Sequence, residues 1–220
     1  MKTRKPGTFQ RDAPDLPAEF AQADSPDQLF ADRELVAVAE TRLHDLERPN
    51  LNTNNLRIEG SLLERVRLSD SQFASAQWKD VRLTSCDLAN VRVHRLTLVR
   101  VEFLDCRLTG FRATAVDCQN VLIRSGDLGY SQLRGGKFRA CEFDACNWQE
   151  ADLQEADLTG SLFRSCSLAR ADLRGAKLQD TDFRGSEIEG MLVNAADLQG
   201  AIVDPAQAMI FARLLGLQIR

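Results

Sequence analysis

The side chains of this sequence that could carry chemistry are six cysteines, two histidines, one tyrosine and a recurring aspartate. Cys86, Cys106, Cys146 and Cys166 are separated by multiples of 20 residues, while Cys118 and Cys141 stand at other spacings. A zinc site asks for closely spaced thiolates, as in Cys-x-x-Cys, or for a histidine pair beside them. Neither pattern occurs, so no metal is expected. His94 follows the apolar Val93 and is expected to face solvent. Aspartate returns at Asp87, Asp127, Asp152, Asp157, Asp172, Asp182 and Asp197. Two carboxylates can act as general acid and base, but carboxylates that recur on a fixed period belong to a repeat and do not mark a dyad. Phosphate-binding glycine loops and the Gly-x-Ser-x-Gly nucleophile turn are also missing. These observations predict a chain that is not an enzyme, with no catalytic residues and no cofactor.

The period that places these residues is five. Every fifth residue from Ile58 through Leu63, Leu68, Phe73 and Trp78 to Val203 forms a series of 30, of which 28 are large and apolar; Ala113 and Cys118 are the exceptions. Two positions earlier runs a second series, Ser61, Val66, Ser71, Ala76 and onward, in which 26 of 30 are Ala, Ser, Thr, Cys, Val or Gly. Helices place apolar residues at i, i+3, i+4 and i+7, and half-buried strands alternate strictly. Neither template fits. In a short extended piece, residues two apart share a face, so both series point to one interior and the residue between them points out. Gly frequently closes the unit, as at Gly60, Gly110, Gly160 and Gly175.

Segments such as Ala156-Asp157-Leu158-Thr159-Gly160 and Ala171-Asp172-Leu173-Arg174-Gly175 resemble the pentapeptide-repeat family, and the resemblance covers roughly residues 56 to 204. It implies an all-β fold, a right-handed quadrilateral parallel β-helix with four pentads per coil. About seven and a half coils stacked about 4.8 Å apart would then make a rod about 35 Å long. Residues 20 apart would stack. Phe103, Phe143, Phe163 and Phe183 share one column with Leu63, Leu83 and Ile123. Trp78, Phe138, Leu158 and Leu198 share another. The four cysteines at multiples of 20 fall in one small-residue column, as core thiols. Ala113 would leave a gap beside Phe111, so local irregularity is expected over 111–118.

The ends need covering, because a solenoid's terminal coils have open edges. Asp204-Pro205-Ala206-Gln207 carries the signals of a helix start, with Asp as N-cap and Gln three residues on. Met209, Ile210, Leu214 and Leu215 give this helix an apolar face, either as a cap or as dimer contacts, and Gly216 a stop. Five prolines interrupt the first 50 residues. Residues 1–24 are expected to be flexible, Ser25-Pro26-Asp27-Gln28 to cap a helix reaching about residue 34, and the first coil to be irregular. The domain expectation is a partly helical N-terminal segment over 1–35, a β-helix over 36–204 and a short C-terminal α-helix with a tail over 205–220.

The chain has 28 Lys+Arg against 32 Asp+Glu, a net charge of −4. That balance argues against direct nucleic-acid binding, which needs cations to displace phosphate counterions. No apolar run approaches the ~20 residues of a membrane span, and the polar N-terminus has no apolar signal core, so a cytoplasmic protein without membrane contact is expected. Residues 131–205 hold 8 basic and 13 acidic residues. Their acids include Glu142, Asp144, Glu150, Asp152, Glu155, Asp157, Asp172, Asp180 and Asp182, a candidate partner-binding surface interrupted by Arg134, Arg139, Arg164, Arg174 and Arg184. Leu62, Leu122 and Leu162 occupy a normally polar outward site on one side and could dock the N-terminal segment or a partner.

Two functions follow. The first is a non-catalytic interaction scaffold for a protein partner of unknown identity. The second is implied by the resemblance: some pentapeptide-repeat proteins mimic B-form DNA, bind DNA gyrase or topoisomerase IV and confer quinolone resistance, and some dimerise through their C-terminal ends. This chain departs from those members in its modest charge, its lack of register-breaking loops and its long N-terminal segment.

Overall fold

The computed structural model describes residues 9–22, 34–214 and 216–218. After β1 (Ala21–Gln22), the elements are β2 (Leu35–Ala39), β3 (Thr41–His44), β4 (Asn52–Glu64), β5 (Gln72–Thr84), β6 (Arg92–Leu104), β7 (Arg112–Gln119), β8 (Leu122–Arg124), β9 (Lys137–Arg139), β10 (Glu142–Asp144), β11 (Leu162–Arg164) and the helix α1 (Pro205–Leu214). Every strand pairing is parallel. Each also joins residues 20 apart, as in Phe73↔Val93, Phe103↔Ile123 and Phe143↔Phe163. One ladder climbs in eight such steps from Arg42 to Ile202. The four sides of the coil follow the outward residues. Side A carries Arg42, Leu62 and Arg82. Side B carries Glu47, Arg67 and Asp87. Side C carries Asn52, Gln72 and Arg92. Side D carries Ala37, Arg57 and Gln77. The molecule is the quadrilateral parallel β-helix that the family resemblance implies.

The five-residue register becomes a core because each inward side chain meets its equivalent in the next coil. Phe143, Phe163 and Phe183 form a file of rings 4.7 Å and 5.1 Å apart, with Trp148 packed edge-on to Phe143 at 5.0 Å. The small series is equally regular. Its hydroxyls and thiols donate to the carbonyl 23 residues earlier: Ser161 to Phe138, Thr181 to Leu158, Ser186 to Phe163, Cys146 to Ile123 and Cys166 to Phe143. Burying a hydroxyl costs little when it has such a partner. This explains why Ser, Thr and Cys share that site with Ala and Val.

The corners turn at every fifth residue, which adopts a left-handed backbone even where it is not glycine, as at Asp45, Asp70, Ser85 and Asn90. Such a conformation costs an L-residue roughly 1–2 kcal/mol. Ladder bonds from the corner itself offset it: Asp45 N donates to Glu64 O at 3.0 Å and Asn90 N to Thr109 O at 2.9 Å. The corner between sides C and D is different. Asn55, Ser75, Arg95 and Ala115 are absent from the left-handed set, and β4, β5, β6 and β7 run straight through it. At Gly135, with φ +68°, and again at Glu155 and Gly175 this corner tightens like the others. Glycine makes the switch cheap.

The irregularity expected at 111–118 is a void and not a break. Val93↔Ala113, Leu96↔Val116 and Leu98↔Cys118 remain paired, and Phe111 is buried. A space of about 30 Å³ is left inside, lined by Trp78, Leu98, Phe111, Cys118 and Phe138 among others. Cavities in cores cost about 24 cal/mol per Å³. Cys118→Val should therefore stabilise the protein by about 0.7 kcal/mol and raise its urea midpoint. An unchanged or lower midpoint would show that the space cannot accept a methyl group.

At the C-terminus the capping box forms: Gln207 N donates to Asp204 Oδ1 at 2.9 Å and Asp204 N to Gln207 Oε1 at 3.0 Å. The same glutamine, itself buried, donates through Nε2 to Phe183 O and Ser186 O at 2.6 and 2.7 Å, closing the open edge of the last coil. The face turned to the core is Gln207 and Phe211, with Ile210 partly buried against it, whereas Met209 is 48% exposed. Met209 therefore leaves the expected capping face, and Phe211 is the anchor that the sequence reading overlooked. The side chains of Leu214 and Leu215 lie outside the described residues. Gly216, at φ +80°, stops the helix, its N–H reaching Arg213 O.

The N-terminal region departs from expectation. The helix proposed from Ser25 falls outside the described residues. The first coil is regular, with Val36, Val38 and Leu43 buried and Val38 stacked on Ile58. Residues 9–22 form an extended strap laid against the corner column Glu40, Gly60, Asp80, Arg100 and Asn120. Asn120 Nδ2 donates to Asp12 at 3.2 Å, Asp15 N donates to Asp80 Oδ1 at 2.9 Å, and Ala21 N donates to Glu40 O at 2.8 Å. Three residues of extended chain span about 10 Å, the rise of two coils. That matches the step from Asn120 to Asp80.

Candidate functional site

The nine acidic residues singled out from the sequence do not form one patch. Glu142, Asp144 and Asp182 belong to side A, Asp152 and Asp172 to side C, and Asp157 to side D; Glu150, Glu155 and Asp180 occupy corners. Most are neutralised in place. Glu142 meets Arg164 at 3.5 Å, Asp144 meets Arg124 at 3.0 Å, Glu150 meets Arg170 at 2.6 Å, and Asp157 meets Lys177 at 3.7 Å. Arg134 closes on Glu155. Asp172 and Asp182 each take a two-pronged contact from the arginine two residues later, Arg174 and Arg184, at 2.6 Å. Those guanidinium hydrogen bonds hold both carboxylates below the usual Asp range, with burial opposing. For Asp157 the main cause is its hydrogen bond to Thr159. Asp152 and Asp180 make no ion pair among the described residues; Asp152 accepts from Gln154 N–H and Asp180 from Gln179.

A tighter electrostatic site lies under the strap. Glu102 is buried on side A between Arg82 and Arg11, each at 2.8 Å. Asp80 is also buried, accepting from Nε and Nη2 of Arg100 at 2.6 Å each and from Asp15 N–H. Burial works to raise both pKa values, but the arginines overcome it and hold both below the usual carboxylate range. Next to them Leu122 is buried although it points away from the core cluster. Leu62 and Leu162 are only half-buried. Of these three outward leucines, Leu122 alone is buried. The sequence signal was that leucine; the charged partners looked like ordinary solvated positions.

All six cysteines are buried free thiols. Burial pushes Cys141 up to about 12 and Cys118 well above the ordinary thiol range, so neither supplies thiolate at neutral pH. His94 Nδ1 lies on the surface 2.9 Å from Thr114 Oγ1, and His44 lies beside Asp45. Among the described residues no three His, Cys, Asp or Glu side chains converge as metal ligands. None of the helices there is long and apolar enough to cross a membrane.

Fold and surface together define a parallel β-solenoid with an apolar interior, whose acidic and basic side chains lie on its outside. Residues 151–190 match the family model for pentapeptide repeats in eight copies, and the same register extends through the coils before and after them. Residues 151–190 are therefore pentapeptide repeats, set in one continuous β-helix. No curated protein sequence matches it. Among solved structures, it resembles trypsin-treated QnrB1, a plasmid-mediated fluoroquinolone resistance protein, at 20% identity and a TM-score of 0.53, covering 86% of this chain and all of that one. HetL, a pentapeptide-repeat protein involved in heterocyst differentiation regulation in the cyanobacterium Nostoc, is matched at 14% identity and a TM-score of 0.29, over 79% of this chain and 90% of that one.

Proposed function

We propose that this protein is a non-catalytic scaffold that presents its outer faces to a protein partner in the cytoplasm. The observation that carries the reading is the closed interior: Phe143, Phe163, Phe183 and their neighbours occupy the axis, and the thiols are sealed among them. Recognition then falls to the surface. The test is chemical cross-linking of the full chain in an extract of its own cells. A salt-sensitive, stoichiometric complex with one protein is expected; no complex at saturating bait would sink the reading.

The acid surplus of residues 131–205 and the likeness to the QnrB1 fold favour a second reading, a DNA mimic that binds DNA gyrase or topoisomerase IV and modulates quinolone sensitivity. The internal pairing of Asp172, Asp182, Glu150 and Glu155 weakens it, because paired carboxylates offer a basic partner little net field. Supercoiling assays with and without a quinolone decide. The mimic reading expects drug protection that drops at raised salt and in the variant Asp152→Asn/Asp180→Asn, whereas the scaffold reading expects none. Dimerisation through the C-terminal end would use the exposed Met209.

A further inference from the structure

Nearly every arginine on sides A and B of the rod has a carboxylate beside it. Arg65 meets Asp45 and Arg124 meets Asp144, while Asp87 sits between Arg67 and Arg107. Sides C and D keep this habit only in part: Lys79, Arg139, Arg174 and Lys177 are paired, but a group of other cations is not. Arg92 and Arg112 stand in direct register on adjacent coils. Both are exposed, and neither guanidinium makes a hydrogen bond or ion pair among the described residues. Arg95, at the extended corner, and Arg57 and Lys137, on side D, are likewise exposed and unpaired there. Like charges directly opposite in a sheet are destabilising, so this stack carries a repulsion, as does the Asp152–Asp172 pair farther along the same side.

The stack also has a shape. It crosses a groove of about 740 Å³ running up side C from Asn52 to Asp152, with Ala74 and Thr114 among the short side chains along it. Gln72 precedes the arginines in the column and Gln132 follows them, adding amide donors. At its far end the same side turns acidic, at Asp152 and then Asp172.

We infer that the unpaired arginines Arg92 and Arg112, on the side C groove, bind a short acidic segment of a protein partner in extended conformation. This rests on the scaffold reading and names its partner's chemistry. From Arg92 through Arg112 to the amide of Gln132 the column rises two coils, about 10 Å, which suits about three extended residues. A phosphate backbone running on along the groove would meet Asp152 and Asp172, so a nucleic acid is disfavoured.

The experiment is fluorescence anisotropy of a labelled octaglutamate peptide titrated with the full chain at low salt. Saturable binding is expected, weakened about tenfold or more in Arg92→Glu/Arg112→Glu, since each exposed pair contributes up to about 1 kcal/mol and reversal adds repulsion. Arg92→Gln/Arg112→Gln should show an intermediate loss. Arg164→Glu/Arg184→Glu, with the same change in net charge on side A, should bind much better than the side C reversal. Equal loss in the two reversals, no binding to the wild type, or tighter binding to a duplex oligonucleotide than to the peptide would overturn the inference. So would a homodimer in sedimentation that Arg92→Glu/Arg112→Glu disperses, because the occupant would then be a second copy. Any of these leaves the scaffold reading to its own cross-linking test, which does not depend on these two arginines.

Discussion

Replacing Phe163 by Ala should destabilise the protein by about 3–5 kcal/mol, the range for truncating a buried phenylalanine. Phe163 is 1% exposed and lies in the ring file between Phe143 and Phe183, 4.7 and 5.1 Å away, with Trp148 at 6.1 Å. A solenoid coil touches only its neighbours, so stability is close to a sum of coil and interface contributions. The vacancy would sever the interfaces on both sides of one coil. Urea denaturation followed by circular dichroism should show the midpoint fall, with the C-terminal coils and α1 unfolding before the rest. Phe163→Leu, which keeps most of the volume, should cost far less. A loss under about 1 kcal/mol for the alanine variant would show that the file of rings is not the element that couples the coils.

Glu102→Ala should free the N-terminal strap. Removing one partner of a buried ion pair costs about 3–5 kcal/mol, largely because the other charge is left uncompensated. Here Arg11 and Arg82 would lose their shared carboxylate, with Arg82, the more exposed of the two, easing part of the cost. Amide exchange over residues 9–17 should accelerate by about a hundredfold, the equivalent of ~3 kcal/mol, while the core coils keep their protection. Acid should do the same to the wild type. Asp80 and Glu102 both have folded-state pKa values below their ordinary ones. Their contribution is therefore complete above the usual carboxylate range, about pH 4 to 4.5. It is lost as pH falls through the lowered folded values. Strap exchange that is the same in Glu102→Ala as in wild type, or that does not change on acidification, would show that these ion pairs do not hold it.

Much of this molecule is legible once the five-residue spacing is joined to the four-sided coil that the family resemblance implies. When every corner turns at the fifth residue, contacts across the interior repeat at a fixed separation of 20, and any list of every fifth residue is already a list of neighbours. The ring file, the cysteine column and the outward place of His94 follow from that arithmetic. The C-terminal cap was legible too, because a capping box is local: Asp204 and Gln207 are three residues apart and bond each other directly. Phe211 was missed because which side of a lone helix meets the last coil depends on its docking angle.

The candidate site was read less well. Residues 9–17 meet the rod across 65 to 108 positions of sequence, a separation that no period encodes, and the bonding groups are polar residues at outward positions of ordinary type. The acidic surface looked like a continuous field in a charge count. In the folded protein, arginines two to 22 positions away reach over and close on it, as Arg174 does on Asp172 and Arg164 on Glu142. Long flexible side chains choose among several neighbours, and only their positions around the four sides decide which.

The sequence by itself therefore determined the rod, its filled axis and the helix that ends it, because these depend on one repeated local geometry. The tertiary structure alone decided which charges are spent on one another, where the N-terminal strap lies and that Arg92 and Arg112 are left facing solvent. Those outcomes depend on distances between side chains that the winding brings together, and a five-residue period is silent about them.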